Sequence, residues 1–379
     1  MIVNLKNPTD LSGFYIVYKG SCNLERPGIY GITHLMEHLM CKTFENLQDE
    51  LDNNGISWNA YTSDSEVVFH FTGLEENLSK FRNKLVKLMS TFPITEEQFQ
   101  NERSIVYQEY LDVFNDQASA HYLNLMRRLF NHYNAIGLGS DIQRLTYQDI
   151  QDYFERQYSK PDVIINVSKT FEYQNTKVKF RKADELQKFK EFADPNSYDL
   201  KPNNKVKLEK LADFSSKTSV IYYAPLVEDP ADFAIIQYID LMLGMGLNSP
   251  LYKELREKRQ IAYFVRMELG RLGNKGFHAF STVTTKKNIK ALHEGLKMVL
   301  DNPEQYLTKE RFALVNNVLR INLKKRDINR FKNVDDHIVP KEWDVYNLVD
   351  KITLKQLLEA YNRLVSFDKF TRSLDNELV

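Results

Sequence analysis

The chain has 379 residues, 42% of them hydrophobic and 27% charged, a size and composition that fit a folded two-domain protein and exclude fibrous or disordered classes. Lys plus Arg and Asp plus Glu both number 51, so no whole-chain field draws it to nucleic acid or to an anionic membrane. Cys22 and Cys41 are too few for a disulfide framework, the N-terminus MIVNLKNPTDLSG lacks a basic-then-apolar leader, and no stretch reaches the roughly 18 apolar residues of a membrane span; a cytoplasmic protein is expected.

In chain order, FYIVYK (Phe14 to Lys19) reads as a strand, and a helix follows over Gly28 to Lys42. FENLQDELDNN is a second, short helical stretch that stops at Gly55, where glycine can take the left-handed conformation. Ile56 to Thr62 and Glu66 to Thr72 form a predicted hairpin, the second strand carrying VVFHF. Helical periodicity returns in NLSKFRNKLVKLMSTF, restarts after Pro93 and reaches Phe114. Further helices are predicted at Ala118 to Phe130 and Tyr147 to Gln157, then a strand at Val163 to Val167.

Residues Phe171 to Leu211 are polar and lysine-rich, with a modest helical piece at Asp184 to Phe192 and a Pro-Asn stretch at Pro195 to Asn204. A boundary there gives domains of residues 1–200 and 201–379. Beyond it the order of elements repeats: a strand at Thr218 to Ala224, helices at Phe233 to Leu243 and Ser249 to Lys258, strands at Ile261 to Leu269 and Gly276 to Thr282, and helices at Lys287 to Leu300 and Lys309 to Arg326. The expected fold class is α+β, with two similar domains, each a mostly antiparallel sheet with helices packed on one face. The basic tracts Lys201 to Lys210 and Lys324 to Arg330 are broken by acidic residues or read as a solvated helix end, so no nucleic-acid groove is expected.

The chemistry concentrates in GITHLMEHLMCKTFENL, Gly31 to Leu47. One helical turn separates His34 from His38, so both imidazoles can swing onto one ion, and Glu37 sits on the shoulder of that face. Ile32, Leu35, Met36, Leu39 and Met40 cover the rest, which implies a buried helix with one polar stripe. A divalent cation satisfies such a stripe; ordinary buried histidines are the alternative. Zinc at a catalytic site needs a third protein ligand and an open position. The segment NERSIVYQEYLD offers Glu102 and Glu109, two turns apart, one for the metal and one to accept a hydrogen bond from a ligating imidazole.

These fragments resemble the pitrilysin and insulinase family of zinc metallopeptidases, marked by an inverted His-x-x-Glu-His motif. The resemblance covers nearly the whole chain and implies the insulinase-like metallopeptidase fold. It implies His34, His38 and Glu109 as ligands of one zinc ion per chain, Glu37 as catalytic base and Glu102 as the supporting acid. NAYTSDSEVVFHF resembles the family's hairpin beside bound peptide, which implies that Asn59, Ala60 and Tyr61 bind substrate. LGMGLNSPLYKELREKRQIAYFV resembles the family's less catalytic domain, with Arg256 and Tyr263 matching residues placed over the scissile bond. GLNSPLYKELRE takes the position of the zinc helix without its motif. The stretch between His38 and Glu109 is shorter than usual in the family. The implied function is a zinc-dependent endopeptidase acting on peptides or unfolded segments; the alternative is a non-catalytic partner subunit whose structural zinc is closed by another ligand such as Cys41. Long family members carry four such domains, so this chain is expected to pair with a second copy or a related subunit.

Overall fold

The structure is a computed structural model, and it describes residues 1–182, 203, 205, 206, 208–210, 217–272, 275–328, 343–375, 377 and 378. The helical piece expected at Asp184 to Phe192 lies outside the described residues. The chain forms two compact units: Met1–Val113 with Tyr133–Asp194, and Phe114–His132 with Pro195–Val379.

The first unit is built on a five-stranded sheet in the order β1-β5-β2-β4-β3. Its strands are β1 (Ile2–Lys6), β2 (Leu11–Lys19), β3 (Ser57–Thr62), β4 (Glu66–Leu74) and β5 (Val163–Ser168). β1 runs parallel to β5 and every other pairing is antiparallel. The predicted hairpin is present as β3 and β4, and β3 forms one edge of the sheet. Side chains alternate faces along a strand. Phe14 therefore pairs with Phe71 and Ile16 with Phe69 on one face, while Trp58 and Ala60 of β3 join the same two β4 residues. Phe44 closes that face with rings 5.2 Å from Trp58 and 5.3 Å from Phe71.

The helices of this half are α1 (Ile32–Lys42), α2 (Gln48–Asn53), α3 (Glu75–Met89) and α4 (Glu96–Asn115). Chain order then gives α5 (Gln117–Phe130), which belongs to the second unit, and, back in the first, α6 (Gly139–Arg144) and α7 (Tyr147–Tyr153), the last continuing as a π-helical turn, Phe154–Tyr158. α1 starts at Ile32 and not at the expected Gly28, because Gly28 and Gly31 both have positive φ, 96° and 97°. A Cβ on Gly31 would stand 2.9 Å from Ile142 of α6, so glycine also permits the close approach of the loop before the helix.

The second unit carries a five-stranded sheet of order β10-β9-β6-β8-β7. These are β6 (Lys217–Tyr223), β7 (Arg266–Leu272), β8 (Lys275–Thr285), β9 (Thr371–Leu374) and β10 (Glu377–Leu378), all paired antiparallel. β7 begins five residues later than the expected Ile261, because the Ile261 and Ala262 amides are still bonded to the Leu255 carbonyl. Helices Pro230–Gly244, Ile289–Leu300, Lys309–Ile328 and Leu354–Leu364 complete the unit.

The internal repeat is visible in the order of elements. β2, α1, α2, β3, β4 are matched by β6, Pro230–Gly244, the π-helical turn Tyr252–Lys258, β7 and β8. The counterpart of α1 is therefore Pro230–Gly244, and the GLNSPLYKELRE stretch stands where α2 does. Neither carries the His-x-x-Glu-His pattern. The α+β class with a mostly antiparallel sheet in each half holds.

β6 is buried on both sides, and its alternation divides two cores. Val220 and Tyr222 join Phe280 and the helix Pro230–Gly244, while Ile221 and Tyr223 join Phe277, Ala279 and the α5 residues Leu125, Met126, Leu129 and Phe130. α5 thus adds a cover on the second face of this sheet. His121 pins it there, fully buried, with Nδ1 2.9 Å from Ser219 Oγ of β6 and Nε2 2.8 Å from Ser373 Oγ of β9.

Candidate metal centre

α1 buries Ile32, Thr33, Leu35, Met36, Leu39 and Met40, which turns His34, Glu37, His38 and Cys41 onto one half-buried stripe. Two buried carboxylates fix the approach to the helix. Glu25 accepts the Gly31 and Thr33 backbone N–H groups at 2.8 Å each, supplying the cap that the Gly31 side chain cannot. Burial raises its carboxyl to about 7, against the pull of those two donors. Asp141 accepts from the Gly28 and Tyr30 amides at 2.9 and 3.2 Å. A first turn held in this way sets the direction of His34.

Glu109 reaches the stripe from α4. Its Oε2 lies 3.5 Å from His34 Nε2 and 3.6 Å from His38 Nε2, and one donor atom from each of the three residues falls within 4.8 Å of the others. Two ligands of a tetrahedral zinc with bonds of about 2.0–2.1 Å stand roughly 3.4 Å apart, so the measured spacing suits one ion. Burial, with His38 adding to it, lowers the His34 imidazole to about 4 and keeps it in the neutral, ligating form. His34 Nδ1 is buried without a hydrogen-bond partner. Among the described residues this is the one group of three or more His, Cys, Asp or Glu side chains spaced to hold a metal. The donor set fits zinc.

Glu102 stands behind it. Its Oε2 is 3.2 Å from His38 Nδ1 and its Oε1 3.1 Å from Lys42 Nζ, so the buried carboxylate joins the His38 ring to a cation one turn further along α1. Glu37 points to the hairpin: Thr62 Oγ1 donates to its Oε2 at 3.0 Å, and Cys41 Sγ to its Oε1 at 3.7 Å. Burial pushes the Glu37 carboxyl above its ordinary value and the Cys41 thiol far upward. Cys41 is thus a neutral neighbour of Glu37 and not part of the three-donor group.

Asn59 and Tyr61 stand on the exposed side of edge strand β3, with Ala60 between them turned inward. Arg256 and Tyr263 belong to the second unit. They contact each other there, the guanidinium 4.3 Å from the Tyr263 ring centroid, with Tyr263 72% exposed. Thr62, Lys42 and Glu25 were not singled out from the sequence. The first two carried a signal: Thr62 shares the face of Trp58 and Ala60 by strand alternation, and Lys42 follows His38 by one helical turn.

Comparison with known proteins shows the family of the chain. Residues 5–137 match the family description "Insulinase (Peptidase family M16)" and residues 144–319 match "Peptidase M16 inactive domain". The chain belongs to the M16, insulinase-like, peptidase family. It is 25% identical to the zinc protease PqqE of Helicobacter pylori over 293 residues, 69% of this chain and 62% of that protein, so the match spans less than two thirds of the relative. Against the mitochondrial-processing peptidase subunit beta of Blastocladiella emersonii it is 24% identical over 144 residues, 36% of this chain and 31% of the relative. A crystal structure of a Helicobacter pylori protease shares the fold with a TM-score of 0.68 at 18% identity, covering 98% of this chain and 96% of that one. No helix of the described residues is long and apolar enough to cross a membrane.

Proposed function

We propose that the protein is a zinc-dependent endopeptidase that hydrolyses peptides or unfolded polypeptide segments. The observation that carries this reading is the convergence of His34, His38 and Glu109 on one point, with Glu37 on the same helix stripe and outside the ligand set. His34, His38 and Glu109 hold one zinc ion, which when bound supplies Lewis acidity toward water and a peptide carbonyl. Glu37 accepts a proton from the attacking water and delivers it to the leaving amine, a task suited to a carboxyl whose affinity for protons burial has raised. Glu102 accepts from His38 Nδ1 and so holds that ring with Nε2 forward.

The edge strand β3 receives the substrate as an added strand, with Asn59, Ala60 and Tyr61 beside it. Arg256 and Tyr263 donate hydrogen bonds to the peptide and to the developing oxyanion. They come from a second subunit, a copy of this chain or a related one. The free thiols of Cys22 and Cys41 suit a cytoplasmic location.

The test is turnover of a quenched peptide library by the zinc-loaded protein. Cleavage by the wild type that disappears in Glu37→Gln, with zinc retained, is the expected result. A zinc-loaded wild type that cleaves nothing, alone or with a related subunit, overturns the reading.

A further inference from the structure

Glu37 is anchored by a residue from outside its own helix. Thr62 closes β3, paired with Val67 of β4, and its hydroxyl donates to Glu37 Oε2 at 3.0 Å. The other carboxylate oxygen has only the weak Cys41 thiol contact at 3.7 Å. A glutamate on a helix has three side-chain torsions to fix, and a long contact to a thiol on the same helix does little to fix them. Thr62 is a different kind of partner. Its β-branched side chain is stiff at χ1, and its strand is held to β4 over six residue pairs. Four residues earlier, Trp58 anchors the same face of β3 by packing on Phe44 and donating from Nε1 to Gln48 Oε1 at 2.7 Å. The donor aimed at Glu37 is thus pre-organised by the sheet.

We propose that Thr62 is a positioning residue for Glu37. The hydroxyl holds Oε2, selects one carboxylate orientation and leaves Oε1, which has the weak thiol contact, as the oxygen that takes the proton. Because Thr62 lies on the edge strand, the same bond ties the base to the strand on which a peptide would be added. Its catalytic meaning rests on the peptidase reading above; the hold on Glu37 does not.

Two variants of the full chain, Thr62→Val and Thr62→Ser, test it. Thr62→Val keeps the branched shape and loses the hydroxyl. In the zinc-loaded protein its kcat on a quenched peptide should fall roughly 10- to 100-fold, with KM and zinc content nearly unchanged, and Thr62→Ser should recover most of the loss. A KM effect without a kcat effect, or equal kcat for the serine and valine variants, overturns the proposal. A second readout needs neither metal nor turnover. In metal-free protein, the change in thermal midpoint caused by Thr62→Val should differ between the wild type and a Glu37→Leu background, since the two side chains share a bond. Equal changes in both backgrounds overturn the inference. Should the wild type prove inactive, the midpoints still decide it: unequal changes support the hold on Glu37 while the peptidase reading falls separately.

Discussion

Glu102 Oε2 lies 3.2 Å from His38 Nδ1, which leaves His38 Nε2 as the ring nitrogen turned to Glu109, 3.6 Å from its Oε2. Separate losses of metal and of turnover follow. Glu37→Gln should keep about one zinc per chain and lose nearly all peptidase activity, whereas His34→Ala, His38→Ala and Glu109→Ala should lose both. Glu102→Ala should weaken zinc binding roughly 10- to 100-fold. Metal analysis and competition with a chelating dye check all five.

Cys41 provides the control. Its thiol lies against Glu37, so Cys41→Ser should leave zinc content unchanged. A large loss of zinc in that variant would make Cys41 a ligand and the site a closed structural one.

Glu25 gives a dependence on pH. Its folded-state value, about 7, lies above the ordinary 4.5, so the native state binds the extra proton between them. The stability this confers is complete below about pH 4.5 and is lost as pH rises through about 7, a change of about 3 kcal/mol. Asp141, facing the same loop, contributes to the rise. Denaturation of metal-free wild type and Glu25→Gln across this range should show the gap between them shifting in favour of the variant as pH increases. A constant gap would contradict the assignment.

Shared sites can be detected by mixing. Glu37→Gln and Tyr263→Phe proteins, each nearly inactive alone, should regain about a quarter of wild-type turnover when co-refolded, because roughly half the dimers are mixed and each has one intact site. Dimers by sedimentation without regained turnover would place both groups in one subunit.

Much of the site was legible because helical periodicity is short-ranged. Four-residue and seven-residue spacings set His34 with His38 and Glu102 with Glu109, and a buried apolar surface told which way they turned. Glu25 was not legible, since it caps α1 from six residues before Gly31, where the usual rule looks for a polar side chain. β1 escaped notice because its short run IVNLK is only partly buried and finds its partner, β5, some 160 residues away. The C-terminal strands β9 and β10 are four and two residues long, too short for alternation to register. α5 was visible as a helix, but an amphipathic pattern says that a face is covered and not by which sheet.

The placement of α5 has a topological outcome. Reading along the chain, the polypeptide enters the second unit at Phe114, returns to the first at Tyr133 and leaves it again after Asp194. The two halves are thus interlaced in sequence, and one cut in the lysine-rich stretch does not yield two whole bodies. A fragment ending near residue 200 carries α5 without Ile221, Tyr223, Phe277 and Ala279, leaving Leu125, Met126, Leu129 and Phe130 bare, while its complement has a sheet stripped on one side. Such fragments should be insoluble apart and recover only when produced together, so a nick in that stretch leaves the second unit dependent on a segment from the other fragment.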